Sequence, residues 1–353
     1  MTTKKPFLLT GGSGVVGTAL RRVLRPDEYL ALVRDRPLDG VASVRGDVRA
    51  ERLGLSAAAY DDLARRIGGV VHCAADTRLN SPVEELAETN LAGTRTLMDL
   101  ALRAQAPFHY VSTAFVHALE RPGGAARPMP YAESKRAAER EVRELGSGYT
   151  ILRPSIVAGD ARTGEISEFQ GLHRTCGAIL QGLFPAFPAE RGSLVDFVPQ
   201  DLTARVIAAA ARGGLPDRAE VWITAGERAI TFDALVGVLT ELGDEISRPF
   251  SRPRVVPLEM YERLIKPVFL PGIPPKLRHL VTGIFEHVAP YLSSPEPFPS
   301  SGALLERHGA AHDPLAVLRT TAEYWVRTTG HARTEPLSLA ALMKTTTKEG
   351  TPA

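Results

Sequence analysis

Only two cysteines, Cys73 and Cys176, occur in 353 residues. That is too few for a disulfide framework, so a reducing, cytoplasmic setting is expected. Charge of one sign is missing too: 42 Lys and Arg stand against 40 Asp and Glu, a formal net charge of +2. Such a balance is too small to drive binding to nucleic acid or to an anionic membrane surface. No apolar run reaches the roughly 18 residues of a membrane span, and the N-terminal MTTKKPFLLTGG holds no stretch long enough for a signal peptide. No internal repeat or low-complexity block is visible. No metal is expected either. His308 and His312 stand one helical turn apart, but the glutamate of an HExxH helix and a third ligand are lacking, so the pair reads as structural or solvated. What is left is an ordinary globular composition, 44% hydrophobic and 23% charged. The length suits about two domains.

The first half alternates short apolar runs with helical patterns. Strands are expected at Pro6–Thr10, Tyr29–Val33, Val70–His72, His109–Ser112 and Thr150–Arg153. Helices are expected between them, at 15–24, 57–66, 83–104 and 131–145. That rhythm predicts βαβ units and an α/β fold with a doubly wound parallel sheet. Beyond Arg153 the rhythm breaks, and residues 159–200, rich in Gly, Pro and Phe, are expected to be irregular over a ligand. Regularity resumes at 202–212, 221–224, 232–242 and 315–326. In the amphipathic segment 276–289, Leu277, Leu280, Val281, Ile284 and Val288 share one helix face. Its apolar face suits the core by default, with a lid over an apolar substrate or a homodimer surface as the other uses. The resulting division is a nucleotide-binding core over 1–160, completed by parts of 194–245, and a substrate lobe or lid over 161–193 and 246–331. A mobile tail is expected over 332–353.

The first strand runs into Thr10-Gly11-Gly12-Ser13-Gly14-Val15-Val16-Gly17, and a helix follows at once. Glycines at 11, 14 and 17 suit a tight turn, a close backbone approach to a pyrophosphate, and close helix–strand packing. The anion then meets the free N–H groups of Ser13, Val15 and Val16 at the positive end of the helix. The second strand ends at Arg34, about 20 residues on, where an acidic residue would bind a ribose 2′-OH and an arginine suits a 2′-phosphate. Arg34, with Arg36 beyond Asp35, therefore favours NADP, used as NADPH, in a Rossmann-like core.

Tyr131-Ala-Glu-Ser-Lys135 places a phenol and an ammonium on one helix face. The chain has seven lysines against 35 arginines, so a lysine at this spacing stands out. An adjacent ammonium lowers a phenol's pKa and readies it for proton transfer to a substrate oxygen. Ser112 and Thr113, at the carboxyl end of the strand before this helix, offer a hydroxyl for the same oxygen.

These motifs resemble the extended short-chain dehydrogenase/reductases over roughly residues 6–245. Within them, the resemblance is to the male-sterility-like branch of thioester reductases and fatty-acyl-CoA reductases. It is carried by HCAAD at 72–76, ETNLAGTRTLMDLA at 88–101, YVSTAFVH at 110–117, LRPSIVAG at 152–159, RTGEI at 162–166 and LVDFVPQDLTARVI at 194–207. It implies Thr113 as the triad hydroxyl, Tyr131 as general acid, and Lys135 as the residue that tunes the tyrosine and holds the nicotinamide ribose. It further implies that Asp47 and Val48 meet the adenine and that Cys73, Ala74 and Ala75 line the cofactor. Pro154 to Val157 would meet the carboxamide, and Asn90 would fix a helix. The implied activity is NADPH-dependent reduction of a carbonyl, either an acyl thioester, carrier-bound or free, or a ketone or aldehyde of an apolar metabolite. Two alternatives share the motifs: an NAD-dependent sugar-nucleotide epimerase or dehydratase, and a non-catalytic NADP sensor or scaffold.

Overall fold

The protein is described from a computed structural model over residues 5–79, 81–121, 128–309 and 312–333. The expected tail lies outside the described residues from 334 onward.

Seven parallel strands form one sheet. They are β1 (Phe7–Thr10), β2 (Tyr29–Val33), β3 (Ser43–Arg45), β4 (Gly69–His72), β5 (Phe108–Val111), β6 (Tyr149–Pro154) and the strand Ala219–Ile223. From one edge the order is β3, β2, β1, β4, β5, β6 and Ala219–Ile223. The sheet is doubly wound about the boundary between β1 and β4, where Thr10 pairs with His72. Such a reversal of strand order opens a crevice at the carboxyl ends of the strands. Period-two alternation buries both faces. Phe7, Leu9, Ala31, Val71, Val111, Leu152, Val221 and Ile223 turn to one face, which packs against helix α1 (Val15–Val23) and the helix Gln200–Ala211. Leu8, Leu30, Leu32, Val70, Phe108, Tyr110 and Ile151 turn to the other. That face packs against α2 (Ala57–Arg66), α4 (Gly93–Ala104) and α6 (Pro130–Arg143). The helix α3 (Val83–Ala87) runs through a π-turn at Glu88–Ala92 into α4, and it and the short α5 (Val116–Glu120) pack on α6. Full burial of one such leucine or valine is worth about 1.5–3 kcal/mol.

Three details differ from expectation. Ser43–Arg45 is a strand that shows no apolar run, because it lies at the sheet edge with two of its three residues exposed. The helix expected over 83–104 carries a π-turn, and the Asn90 side chain inside that turn bonds outside the helix. Within 159–200, Gly171–Leu180 is a ten-residue helix. Buried residues nearly all round it leave no amphipathic stripe to read.

The chain divides into two compact units. The first comprises Met1–Val157, Phe197–Ala225 and Phe298–Ala311, and the second Ala158–Asp196, Gly226–Pro297 and the residues from His312 on. Residues 226–245 thus lie in the second unit. Phe298 onward returns to the first, where the Thr224 hydroxyl donates to the Pro299 carbonyl at 2.6 Å and Leu305 joins the core. In the second unit, Gly177 lies against the Trp325 ring. An aromatic cluster joins Phe187 to Phe232 at 4.2 Å between ring centroids, Phe184 to Phe285 at 4.6 Å and Tyr261 to Phe285 at 5.0 Å. The amphipathic segment enters this core through Val281, Ile284 and Phe285. A π-turn at Ile284–Val288 shifts its register so that two successive residues are buried. No helix among the described residues is long and apolar enough to cross a membrane.

Three buried histidines carry a stability consequence. Burial pushes His72 down to about 3, and His109 and His173 down to about 4, from an ordinary 6.5. As pH falls below 6.5 the unfolded chain takes up these protons while the folded chain does not. Stability is therefore lost progressively between pH 6.5 and about 4, by on the order of 2 kcal/mol per histidine at pH 5. Thermal melts should show Tm about 10 °C lower at pH 5 than at pH 7.5. An unchanged Tm would mean that these rings titrate normally.

Candidate active site

β1 leads into α1 without a capping side chain. Gly14 is the N-cap, and its N–H donates to the Gly11 carbonyl at 3.0 Å. Gly11 has φ +68°, and a Cβ there would lie 2.6 Å from the Ala74 nitrogen. A Cβ on Gly17 would lie 2.1 Å from the Gly11 carbonyl oxygen. At Gly14 the nearest neighbour is that same oxygen at 3.5 Å, ordinary contact with room to spare. The first and third glycines thus hold the turn closed against β4, while the second leaves an open face over uncapped helix N–H groups. The chemistry of this cradle fits a pyrophosphate. Ser13 is exposed, and Val15 and Val16 are half-buried on the first turn of α1.

At the exit of β2, Arg34 Nε bonds Asp35 Oδ2 at 2.9 Å, with both side chains mostly exposed; Arg36 is exposed as well. Asp47 holds Arg49 through both carboxylate oxygens, at 3.1 Å from Nε and 2.6 Å from Nη2. The Arg49 bonds hold its carboxyl below the usual range, with Arg34 adding to the effect. Val48 backs onto the start of α4, 3.0 Å from where a Gly93 Cβ would sit.

Beyond β4, Cys73 and Ala74 run beside Gly11. Thr10 and His72 lock this crossing. The Ala74 N–H donates to Thr10 Oγ1 at 3.1 Å, and Thr10 meets His72 Nδ1 at 2.8 Å. His72 Nε2 meets Thr94 Oγ1 at 3.1 Å, and that hydroxyl donates to the Asn90 carbonyl at 2.7 Å. Only one proton arrangement satisfies the chain: a neutral imidazole with its proton on Nε2. Asn90 Nδ2 donates to the Asp76 carbonyl and to Ser134 Oγ, both at 2.9 Å. Ser134 in turn donates to the Tyr131 carbonyl at 2.8 Å. Asn90 therefore ties the loop after β4 to the first turn of α6.

On α6, Lys135 is buried and its Nζ stands 4.2 Å from the centroid of the Tyr110 ring. Burial pushes Lys135 down to about 7, opposed by Cys73 and Glu139. The same enclosure pushes the Cys73 thiol up to about 12. Tyr131, one turn earlier and half-buried, is pushed up to about 12 by burial. This shift runs opposite to the lowering expected from its lysine neighbour, and desolvation of the phenolate is its cause. At neutral pH the phenol keeps its proton.

Ser112 and Thr113, both buried, continue past β5. The Ser112 hydroxyl donates to Glu139 Oε1 at 2.6 Å, whereas Thr113 Oγ1 accepts a long 3.4 Å bond from the Phe115 N–H. Pro154 ends β6, its carbonyl receiving the Ala114 N–H at 2.8 Å; Val157 follows, half-buried. The four residues Glu139, Arg143, Arg153 and Glu220 escaped the sequence reading. Arg153 grips Glu139 at 2.9 and 2.7 Å and Glu220 at 2.6 Å, while Arg143 bonds both carboxylates. The available signal was Glu139 itself, four residues beyond Lys135 on the same helix face. Among the described residues no group of His, Cys, Asp and Glu could hold a metal ion. The His308 carbonyl accepts from Arg205 Nε at 2.7 Å.

An NAD-binding family described as male sterility protein matches residues 23–207, just over half of the chain. A polyketide synthase–nonribosomal peptide synthetase, ffsA of Aspergillus flavipes, is 31% identical over 238 residues, which are 58% of this chain and 6% of that protein. This chain thus spans only a small part of that relative. Among solved structures, the terminal R domain from the myxalamid PKS-NRPS biosynthetic pathway superposes with TM-score 0.75 at 21% identity, covering 96% of this chain and 94% of that one. A thiolation–reductase di-domain from an archaeal non-ribosomal peptide synthetase gives TM-score 0.68 at 14% identity, covering 94% and 77%. These likenesses bear on the fold, which is that of the seven-stranded sheet above. The chain belongs to the male sterility protein family.

Proposed function

We propose that this chain is an NADPH-dependent reductase of acyl thioesters, acting through Thr113, Tyr131 and Lys135. One observation carries the reading: on α6 the Tyr131 phenol, which keeps its proton at neutral pH, stands one turn before the buried amine of Lys135. A reductase needs that proton for the oxygen of the substrate. When bound, NADPH supplies a hydride to the carbonyl carbon. Thr113 donates a hydrogen bond to the oxygen as charge gathers on it, and Tyr131 then gives up its proton. The C–S bond of the resulting hemithioacetal breaks, releasing the thiol and an aldehyde. Lys135 contributes positive charge beneath the tyrosine and a donor for the nicotinamide ribose.

The pyrophosphate would rest on Ser13, Val15 and Val16, and the adenine between Asp47 and Val48. Arg34 and Arg36 at the exit of β2 support a 2′-phosphate, hence NADP over NAD. A carrier-bound thioester is supported by the company kept by the similar structures, one of which joins a thiolation domain to a reductase.

The test is cofactor consumption with acyl-CoA and pantetheine thioesters, matched aldehydes and cyclic ketones, each with NADPH and with NADH. Thioester turnover with NADPH, favoured about tenfold or more over NADH, is expected. Turnover confined to ketones, or protein purified with stoichiometric NAD, would reject the reading.

A further inference from the structure

A hydroxyl has one proton to donate. That of Ser112 goes to Glu139 Oε1 at 2.6 Å, the short distance of a bond to a charged acceptor. Glu139 is fully buried and does not move freely, since Arg153 holds both of its oxygens and Arg143 holds one. Arg153 is itself fixed by Glu220 and by the Trp222 ring 4.4 Å away. Tyr131, Lys135 and Glu139 recur every four residues along α6.

We propose that Glu139 is a positioning residue: it draws the Ser112 hydroxyl inward, leaving Thr113 as the hydroxyl that meets the substrate oxygen, and stands as the fixed counter-charge behind Lys135. This rests on the reading of Thr113, Tyr131 and Lys135 given above. The groups facing Lys135 are His72 and Cys73 from the end of β4, Tyr110 from β5, and Glu139 on its own helix. His72 and Cys73 are uncharged at neutral pH. Glu139 is thus the anion among them. Without it the ammonium loses its proton at lower pH, and activity that needs the ammonium fades earlier as pH rises.

Four variants test this in the full chain, with thioester reduction followed from pH 5.5 to 9 and folding checked by melting. Ser112→Ala is expected to keep kcat/KM within about threefold, and Thr113→Ala to lose about 100-fold. Glu139→Gln should leave KM little changed while moving the alkaline limb of the kcat profile about one pH unit lower. Glu139→Asp, which keeps the charge, should restore the limb. If Glu139→Gln does not fold, the serine–threonine pair and the aspartate variant still decide. A loss in Ser112→Ala equal to that in Thr113→Ala, or an unmoved limb in folded Glu139→Gln, overturns the proposal. Activity retained in Tyr131→Phe would instead overturn the catalytic reading beneath it.

Discussion

Tyr131→Phe is expected to lower kcat for thioester reduction about 10³-fold, within the range for losing a general acid. NADPH affinity should stay within about threefold, because the cradle at Gly11–Gly17 is untouched. The change removes one oxygen from a half-buried ring, so Tm should move by no more than about 3 °C. The pattern matters more than any single value. A structural tyrosine would lose stability and activity together, whereas a proton donor loses turnover alone. Fluorescence titration of NADPH beside steady-state kinetics separates the two. Equal losses in binding and turnover would contradict the assigned role.

Two neighbouring glycines should part company. Gly17→Ala places a Cβ 2.1 Å from the Gly11 carbonyl oxygen and 2.7 Å from the Gly12 Cα. Backbone cannot swing aside as a side-chain tip can, so the turn must open. Overpacking of this kind costs about 1–3 kcal/mol, and the displaced turn spoils the cradle as well. Gly17→Ala should therefore melt earlier and bind NADPH at least about 100-fold more weakly. Gly14→Ala meets only one atom, at 3.5 Å, so the free protein should fold and melt normally. Its new methyl group stands where the backbone would approach the pyrophosphate, so NADPH binding should still fall about tenfold or more. Normal NADPH binding by Gly14→Ala would place the cofactor elsewhere.

Much of this was legible in the sequence because it depends on local spacing. The glycine triplet sits between a strand and a helix, and Tyr131 and Lys135 are one turn apart, so chain geometry alone brings each set together. The core strands were legible because buried parallel strands are short apolar runs. Contacts across the chain were not. Glu139 reaches Arg153 over 14 residues, and Arg153 reaches Glu220 over 67. No local pattern announces such a cluster, yet it decides where the Ser112 proton goes. The direction of the Tyr131 shift was hidden for a related reason. An i, i+4 lysine argues for a lowered phenol, but enclosure by other elements sets the desolvation that raises it. At the exit of β2 the sequence placed Arg34 beside Asp35, and the structure pairs the two.

The most direct measurement is a single turnover with NADPH deuterated at the transferring position and an acyl thioester, with mass analysis of the trapped product. The account predicts one deuterium on the aldehyde carbon and one equivalent of released thiol in the unaltered protein, and neither in Tyr131→Phe. Thiol release without deuterium in the product, or deuterium transfer that persists undiminished in Tyr131→Phe, would contradict it.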